Sequence, residues 1–120
     1  LEVVRGHRLH GFVCSNLTQR HSKEHPGGLS GKVQWELSNN QIAHVYKRSN
    51  RQHTIIGVGG IFSAEDAYRK IKLGASLVEL ITGMIYEGPQ LISTINQGLV
   101  RLLKKDGVSS ISEAVGTAKS

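Results

Sequence analysis

Two kinds of hydrophobic pattern take turns along this chain. Short apolar runs, Gly11-Phe12-Val13-Cys14, Thr54 to Val58 and Ser76 to Ile81, each end in glycine or small polar residues. Between them lie longer stretches in which apolar residues recur at helical spacing: Leu37, Ile42, Val45 and Tyr46, then Ala67 and Ile71, then Leu91, Ile92, Ile95, Leu99, Leu102 and Leu103. A short run bounded by glycine reads as a buried strand, and the three-to-four spacing reads as an amphipathic helix. The predicted order is helix end (1–9), strand (11–16), loop, helix (36–48), strand (54–58), helix, strand (76–82), helix. Such alternation implies βαβ units and a parallel sheet with helices outside.

Capping chemistry sharpens the boundaries. Ser38 or Asn39 is the expected cap of the first full helix, and Asn50 its end. Ser63 with Asp66 three residues on is a helix start, and Gly74 a left-handed stop. Pro89 opens the last long helix and Gly107 closes it, leaving Ser109 to Ser120 for one short turn and a frayed end. The polar segment Gln19 to Pro26, closed by Gly27-Gly28-Leu29-Ser30-Gly31, is longer than most connections and reads as a functional loop or lid.

A length of 120 residues suits one domain, and 38% hydrophobic with only 5% aromatic content suits an aliphatic α/β core. The single Cys14 excludes an internal disulfide, and no apolar run is long enough to span a bilayer. The chain begins with neither Met nor a signal sequence, and reads as an excerpt starting inside an element. A net charge of +6 raises nucleic acid or an anionic membrane as partners, but the basic residues, Lys70 and Lys72 among them, are interleaved with apolar ones and read as solvated helix faces. Six histidines sit in different elements apart from His21 and His25, which share the polar loop with Glu24; they read as solvated residues and no metal site is expected. Asn16-Leu17-Thr18 matches the glycosylation pattern, in a chain lacking secretory features.

The chemistry lies in the glycines. Ile56-Gly57-Val58-Gly59-Gly60 ends a strand without side chains, so backbone N–H groups can approach an anion. A dinucleotide fingerprint fails because Phe62 stands where its third glycine belongs, and no Gly-Lys-Ser/Thr follows for a Walker loop. About 22 residues later Thr82-Gly83 ends the next strand, followed by Met84 to Glu87, the length of one extra helical turn. Two successive strand ends with a short extra helix are where (β/α)₈ barrels often hold a ligand phosphate, although taken singly each glycine also reads as a plain strand or helix end.

Five ordered segments carry a resemblance: Gly27 to Gly31, Ile55 to Ile61, Gly74 to Val78, Tyr86 to Pro89 and Ser112 to Gly116. Together they resemble the carboxyl-terminal part of class 2, quinone-dependent, dihydroorotate dehydrogenases. The resemblance implies an α/β fold, the last three βα units of a (β/α)₈ TIM barrel, with residues 1–120 forming part of a single FMN-binding domain. It implies FMN as cofactor, held by Gly31, Gly60 and Thr82 largely through backbone groups, with Ser15 facing the flavin and Ile81 beside Thr82. It also implies that Asn16 hydrogen-bonds dihydroorotate or orotate, whose donors and acceptors suit an amide.

Three positions depart from the family pattern: Leu17 and Ile81 stand where threonine and tyrosine are usual, and Val33 where proline is. Leu17 cannot supply a hydroxyl to the substrate, and Ile81 can contribute only backbone or apolar contact. The family's serine base, a flavin-contacting lysine and the helices of the quinone tunnel all match positions before residue 1. The intact protein is then expected to oxidise dihydroorotate in pyrimidine synthesis at a bacterial or mitochondrial inner membrane, as a peripheral protein passing electrons to quinone and binding no nucleic acid. The isolated chain, without a catalytic base, is expected to be inactive. Two other readings stay open: a basic module binding phosphate or nucleic acid without catalysis, and another FMN-dependent barrel oxidoreductase.

Overall fold

The computed structural model describes residues 2–15, 17–18 and 27–118. Its elements run α1 (Glu2–Gly6), β1 (Gly11–Cys14), a 3₁₀ turn (Lys32–Gln34) leading into α2 (Trp35–Arg48), β2 (Thr54–Val58), α3 (Ala64–Leu73), β3 (Leu77–Glu79), α4 (Thr82–Glu87), α5 (Leu91–Asp106) and α6 (Ile111–Ala114). The strands form one parallel sheet in the order β1-β2-β3, with Val13 opposite Ile56 and Ile56 opposite Leu77. This is an arc of neighbouring βα units, as expected for part of a (β/α)₈ barrel.

The sheet has two unlike faces because side chains alternate along each strand. One face packs on helices: Cys14, Ile55 and Ala75 are buried with Ile42 of α2. A second core joins Ile61, Ala67, Tyr68 and Ile71 to Leu91, Ile95 and Leu99 of α5 and Ala114 of α6. The other face carries the row Val13, Ile56 and Leu77, of which Val13 is 60% and Leu77 58% exposed.

The capping signals of α3 hold. The Asp66 N–H donates to Ser63 Oγ at 3.1 Å while Asp66 Oδ2 accepts from the Phe62 N–H at 3.0 Å, so side chain and backbone satisfy each other across the first turn. The Gly107 stop of α5 is left-handed at φ 69, and the tail forms α6 under a Ser110 cap.

Three expectations fail. Ser38 and Asn39 are not caps: α2 starts earlier, through the 3₁₀ turn after Gly31, which puts both residues inside the helix and buried. Ile92 is half exposed rather than part of the α5 stripe, because the buried line runs Leu91, Ile95, Leu99. The third strand is also shorter than predicted, ending at Glu79 so that residues 80–81 form the turn into α4.

Candidate functional site

In a parallel sheet all strands end at the same edge, and here the carboxyl ends of β2 and β3 and the loop after β1 meet at one hollow of about 230 Å³. Leu17, Ser30 and Gly31 line one side, Val58 to Ile61 the floor, and Glu79 to Gly83 the other side. Leu17 and Ser30 are held there by a two-residue antiparallel bridge, in which Thr18 and Leu29 exchange backbone hydrogen bonds of 3.0 and 2.8 Å. This bridge closes the base of the polar loop; Gln19 to Pro26, with His21 and His25, lie outside the described residues.

The walls are built from backbone. Gly60 has φ 74, and a Cβ there would lie 2.7 Å from the Trp35 Cα. Gly31 has φ 88, with Thr82 Cγ2 at 3.1 Å from the position a Cβ would take; a Cβ on Gly83 would strike the Ile61 carbonyl oxygen. Side chains larger than hydrogen are therefore excluded where the β2 turn, the Gly31 turn and α4 converge. Among the described residues, the backbone N–H groups of Gly60, Ile61, Thr82 and Gly83 bond to no protein group. Unpaired donors where three glycines keep one part of the hollow clear of side chains suit the oxygens of a phosphate ester.

The residues singled out from sequence fall as follows. Gly31, Gly60, Thr82, Ile81 and Leu17 all line the hollow, with the Ile81 side chain 63% exposed. Ser15 sits just past β1 and donates its N–H to the Val58 carbonyl at 3.3 Å, beside the hollow but not in its wall. Asn16 lies outside the described residues. Among the described residues no three His, Cys, Asp or Glu gather as metal ligands.

Sequence reasoning did not assign three further groups. Ser30 Oγ lies 2.7 Å from Thr82 Oγ1, tying the loop to the start of α4 across the rim. Lys32 stands 5.6 Å from the Phe62 ring centroid, in an adjoining depression of about 370 Å³ that also contains Tyr86. Lys70, read as a solvated helix residue, is fully buried behind the sheet. Its Nζ donates to Ser38 Oγ at 3.0 Å and Asn39 Oδ1 at 2.9 Å, and burial draws its pKa down to about 8 against the opposing pull of Asp66. The signal was present in the pattern: Lys70 lies on the Ala67 and Gly74 stripe of α3, and Ser38-Asn39 on the Trp35, Ile42 stripe of α2. Burial also raises the pKa of the Cys14 thiol, which favours an inert structural cysteine.

A hollow of about 340 Å³ at the opposite end of the sheet, beside Tyr46, Lys47, Arg51 and Lys72, is larger. Two of its three cations are already engaged: Lys72 pairs with Asp106 at 3.3 Å and Arg51 lies over the Tyr46 ring.

Comparison with known proteins gives a consistent result. Residues 4–103 match the sequence profile of the dihydroorotate dehydrogenase family. A "Dihydroorotate dehydrogenase (quinone)" of Deinococcus radiodurans is 46% identical over 112 residues, covering 88% of this chain and 30% of that protein. One of Trichodesmium erythraeum is 36% identical over 132 residues, covering 98% and 35%. The ligand-free dihydroorotate dehydrogenase of Eimeria tenella superimposes with a TM-score of 0.88 at 34% identity, over 97% of this chain and 34% of that one. The same enzyme in complex with ferulenol gives 0.91 at 32% identity. The chain thus spans about a third of the length of the curated relatives it matches.

Proposed function

The chain belongs to the dihydroorotate dehydrogenase family, and from that premise we propose that it is the carboxyl-terminal, FMN-phosphate-binding third of a class 2 dihydroorotate dehydrogenase. The observation that carries the reading is the convergence of Gly31, Gly60 and Thr82 on one hollow, with unpaired N–H groups where glycines exclude side chains.

The residues fit the cofactor. Gly60, Ile61, Thr82 and Gly83 would donate to the phosphate oxygens, Ser30 and Thr82 would close the rim, and exposed Lys32 adds positive charge nearby. Ser15 and Ile81 would meet the rest of the flavin, Ile81 through backbone or aliphatic contact. Asn16 would orient dihydroorotate through its amide, whereas Leu17, half exposed at the rim, offers only an apolar surface. Held there, FMN would supply the hydride acceptor for oxidation of the dihydropyrimidine ring and the route for electrons to a quinone. The base that takes the substrate proton is assigned to residues outside this chain, as are the quinone tunnel and the membrane contact that would make the protein peripheral to an inner membrane.

The test is purification of the full-length protein, release and identification of its flavin, and assay of dihydroorotate oxidation with a soluble quinone. FMN at near one per chain with quinone-dependent turnover is expected; a colourless protein that binds nucleic acid in a salt-sensitive way would overturn the reading in favour of a basic binding module. Asn16→Ala should weaken orotate binding with FMN retained. Loss of FMN at unchanged orotate affinity would instead favour a different flavin enzyme on the same barrel.

A further inference from the structure

Lys70 sits where a lysine is costly. An ammonium removed from water must be compensated, and its compensation here is partial: two neutral oxygens within 3.0 Å, with Asp66 contributing only from a distance. The oxygens belong to Ser38 and Asn39, themselves buried polar residues on the apolar stripe of α2. Asn39 Nδ2 has no hydrogen-bond partner among the described residues, so the amide is held by Lys70.

The cluster leads directly to the glycine turn. Having accepted from Lys70, the Ser38 hydroxyl donates to the Val58 carbonyl, with the Cys14 carbonyl at 3.4 Å. Val58 is the last residue of β2 and immediately precedes Gly59-Gly60, and its carbonyl also accepts the Ser15 N–H. A Cβ on Gly59 would lie 3.1 Å from Gln34 Cβ, 3.5 Å from Ser38 Cβ and 3.7 Å from its Oγ, so the turn rests on Gln34 and Ser38, and the ammonium is bonded to Ser38 from behind. A strand end that needed only shape would be supported by an apolar residue at lower desolvation cost.

We propose that Lys70 is the positioning residue and buried counter-charge of the phosphate loop: through Ser38 it fixes Val58 and Gly59, and from behind the glycines it supplies positive potential to a dianionic phosphate ester bound on the loop's N–H groups. The inference rests on the reading of this hollow as the FMN phosphate site. At neutral pH the group is still mostly charged. Among the described residues no cationic side chain lines the 230 Å³ hollow itself, and its one charged lining residue is Glu79. Lys70 thus serves as a cation that leaves the wall free for backbone.

The test compares two ligands that differ only in the phosphate. Apoprotein of the full-length enzyme and of Lys70→Met is titrated with FMN and with riboflavin, following quenching of flavin fluorescence. The expected result is a loss of about tenfold or more in FMN affinity with riboflavin affinity changed less than about threefold, as for one charge interaction across a partly desolvated gap. Ser38→Ala, which keeps the charge but removes the link, should lose part of that preference. Equal weakening of both flavins in Lys70→Met would make Lys70 a packing residue and overturn the proposal, as would unchanged binding of both. If Lys70→Met does not fold, Lys70→Gln, which keeps a donor toward Ser38 without the charge, gives the same reading by the same ratio. A wild-type protein that binds neither flavin would overturn the underlying assignment of the hollow, a different outcome from an unchanged ratio in the variant.

Discussion

Because burial holds Lys70 near pKa 8, against 10.5 for an ordinary lysine, its proton links stability to pH in a direction opposite to that of a lysine that gains a carboxylate partner on folding. Between those values the unfolded chain keeps the proton that the native chain has lost. The unfolded state therefore binds more protons, and stability rises with pH across the window. Below pH 8 both states are protonated and the full desolvation cost is present. Integrating over the difference, the native state should gain about 2 kcal/mol between pH 7 and pH 9.5 from this one group.

Lys70→Met removes the titration while keeping most of the volume. At neutral pH the loss of a costly charge is offset by leaving Ser38 Oγ and Asn39 Oδ1 without their donor, at about 1–3 kcal/mol each, so the absolute change in stability is small and its sign uninformative. The pH slope is informative. Urea unfolding of the full-length apoprotein at several pH values between about 7 and 9.5 should show wild type gaining on Lys70→Met by about 2 kcal/mol, every other titrating group cancelling in the difference. Parallel curves for the two proteins would refute the reasoning, since they would mean that the amine is solvated or remains charged in the native state throughout.

Gly60→Ala should cost about 2–4 kcal/mol, from a left-handed φ plus a Cβ forced into the Trp35 backbone, and should abolish FMN retention, whereas Gly107→Ala, at φ 69 with open space around it, should cost only about 1 kcal/mol; urea midpoints of the two variants check the contrast. Ser30→Ala, which breaks the 2.7 Å hydroxyl contact with Thr82, should raise the FMN dissociation constant a few-fold with little change in melting temperature. Asp106 is held below its usual pKa first by the Tyr68 hydroxyl and then by Lys72, so its stabilisation is present at neutral pH and lost as pH falls through its folded value; Asp106→Asn should show a shallower acid-induced drop in melting temperature than wild type. The isolated 120-residue chain given FMN and dihydroorotate should reduce no quinone, and measurable turnover would refute the assignment of the base to residues outside it.

The parts of the fold legible in sequence are those where one residue decides local geometry. Ser63 and Asp66 specify the start of α3 by themselves, and Gly107 the end of α5, because a cap needs no tertiary partner. The glycines at 59–60 and 83 were legible as a pair because each permits a close approach just beyond a strand, although the second lies in the first turn of α4 rather than at the end of β3. The start of α2 was not legible: Ser38 and Asn39 have cap chemistry, but Gly31 and the 3₁₀ turn had already begun the helix, and the two polar side chains turn inward to a partner 31 or more residues away. Lys70 was misread for the same reason. A basic residue in a helix is by composition a surface residue, and only the coincidence of polar exceptions on two facing stripes marks it otherwise.

The two faces of the sheet divide the labour of the site. On the helix side the strands are fixed by apolar packing and by the Lys70 cluster, which reaches the carbonyls of Cys14 and Val58 and so acts where β1 and β2 end. On the other side Val13, Ile56 and Leu77 form an open apolar row leading up to Ser15, Val58 and Glu79 at the level of the hollow. On the proposed reading that row is the interior of the barrel, covered by side chains from the remaining strands, because a closed barrel leaves neither an open edge nor an uncovered inner face. The glycine turn then belongs to both layers: its N–H groups face the interior, while its carbonyl anchor is held from behind. A substitution on the helix side can therefore change what binds at the strand ends without touching the ligand, and the ratio of FMN to riboflavin affinity is the quantity in which that coupling would be read.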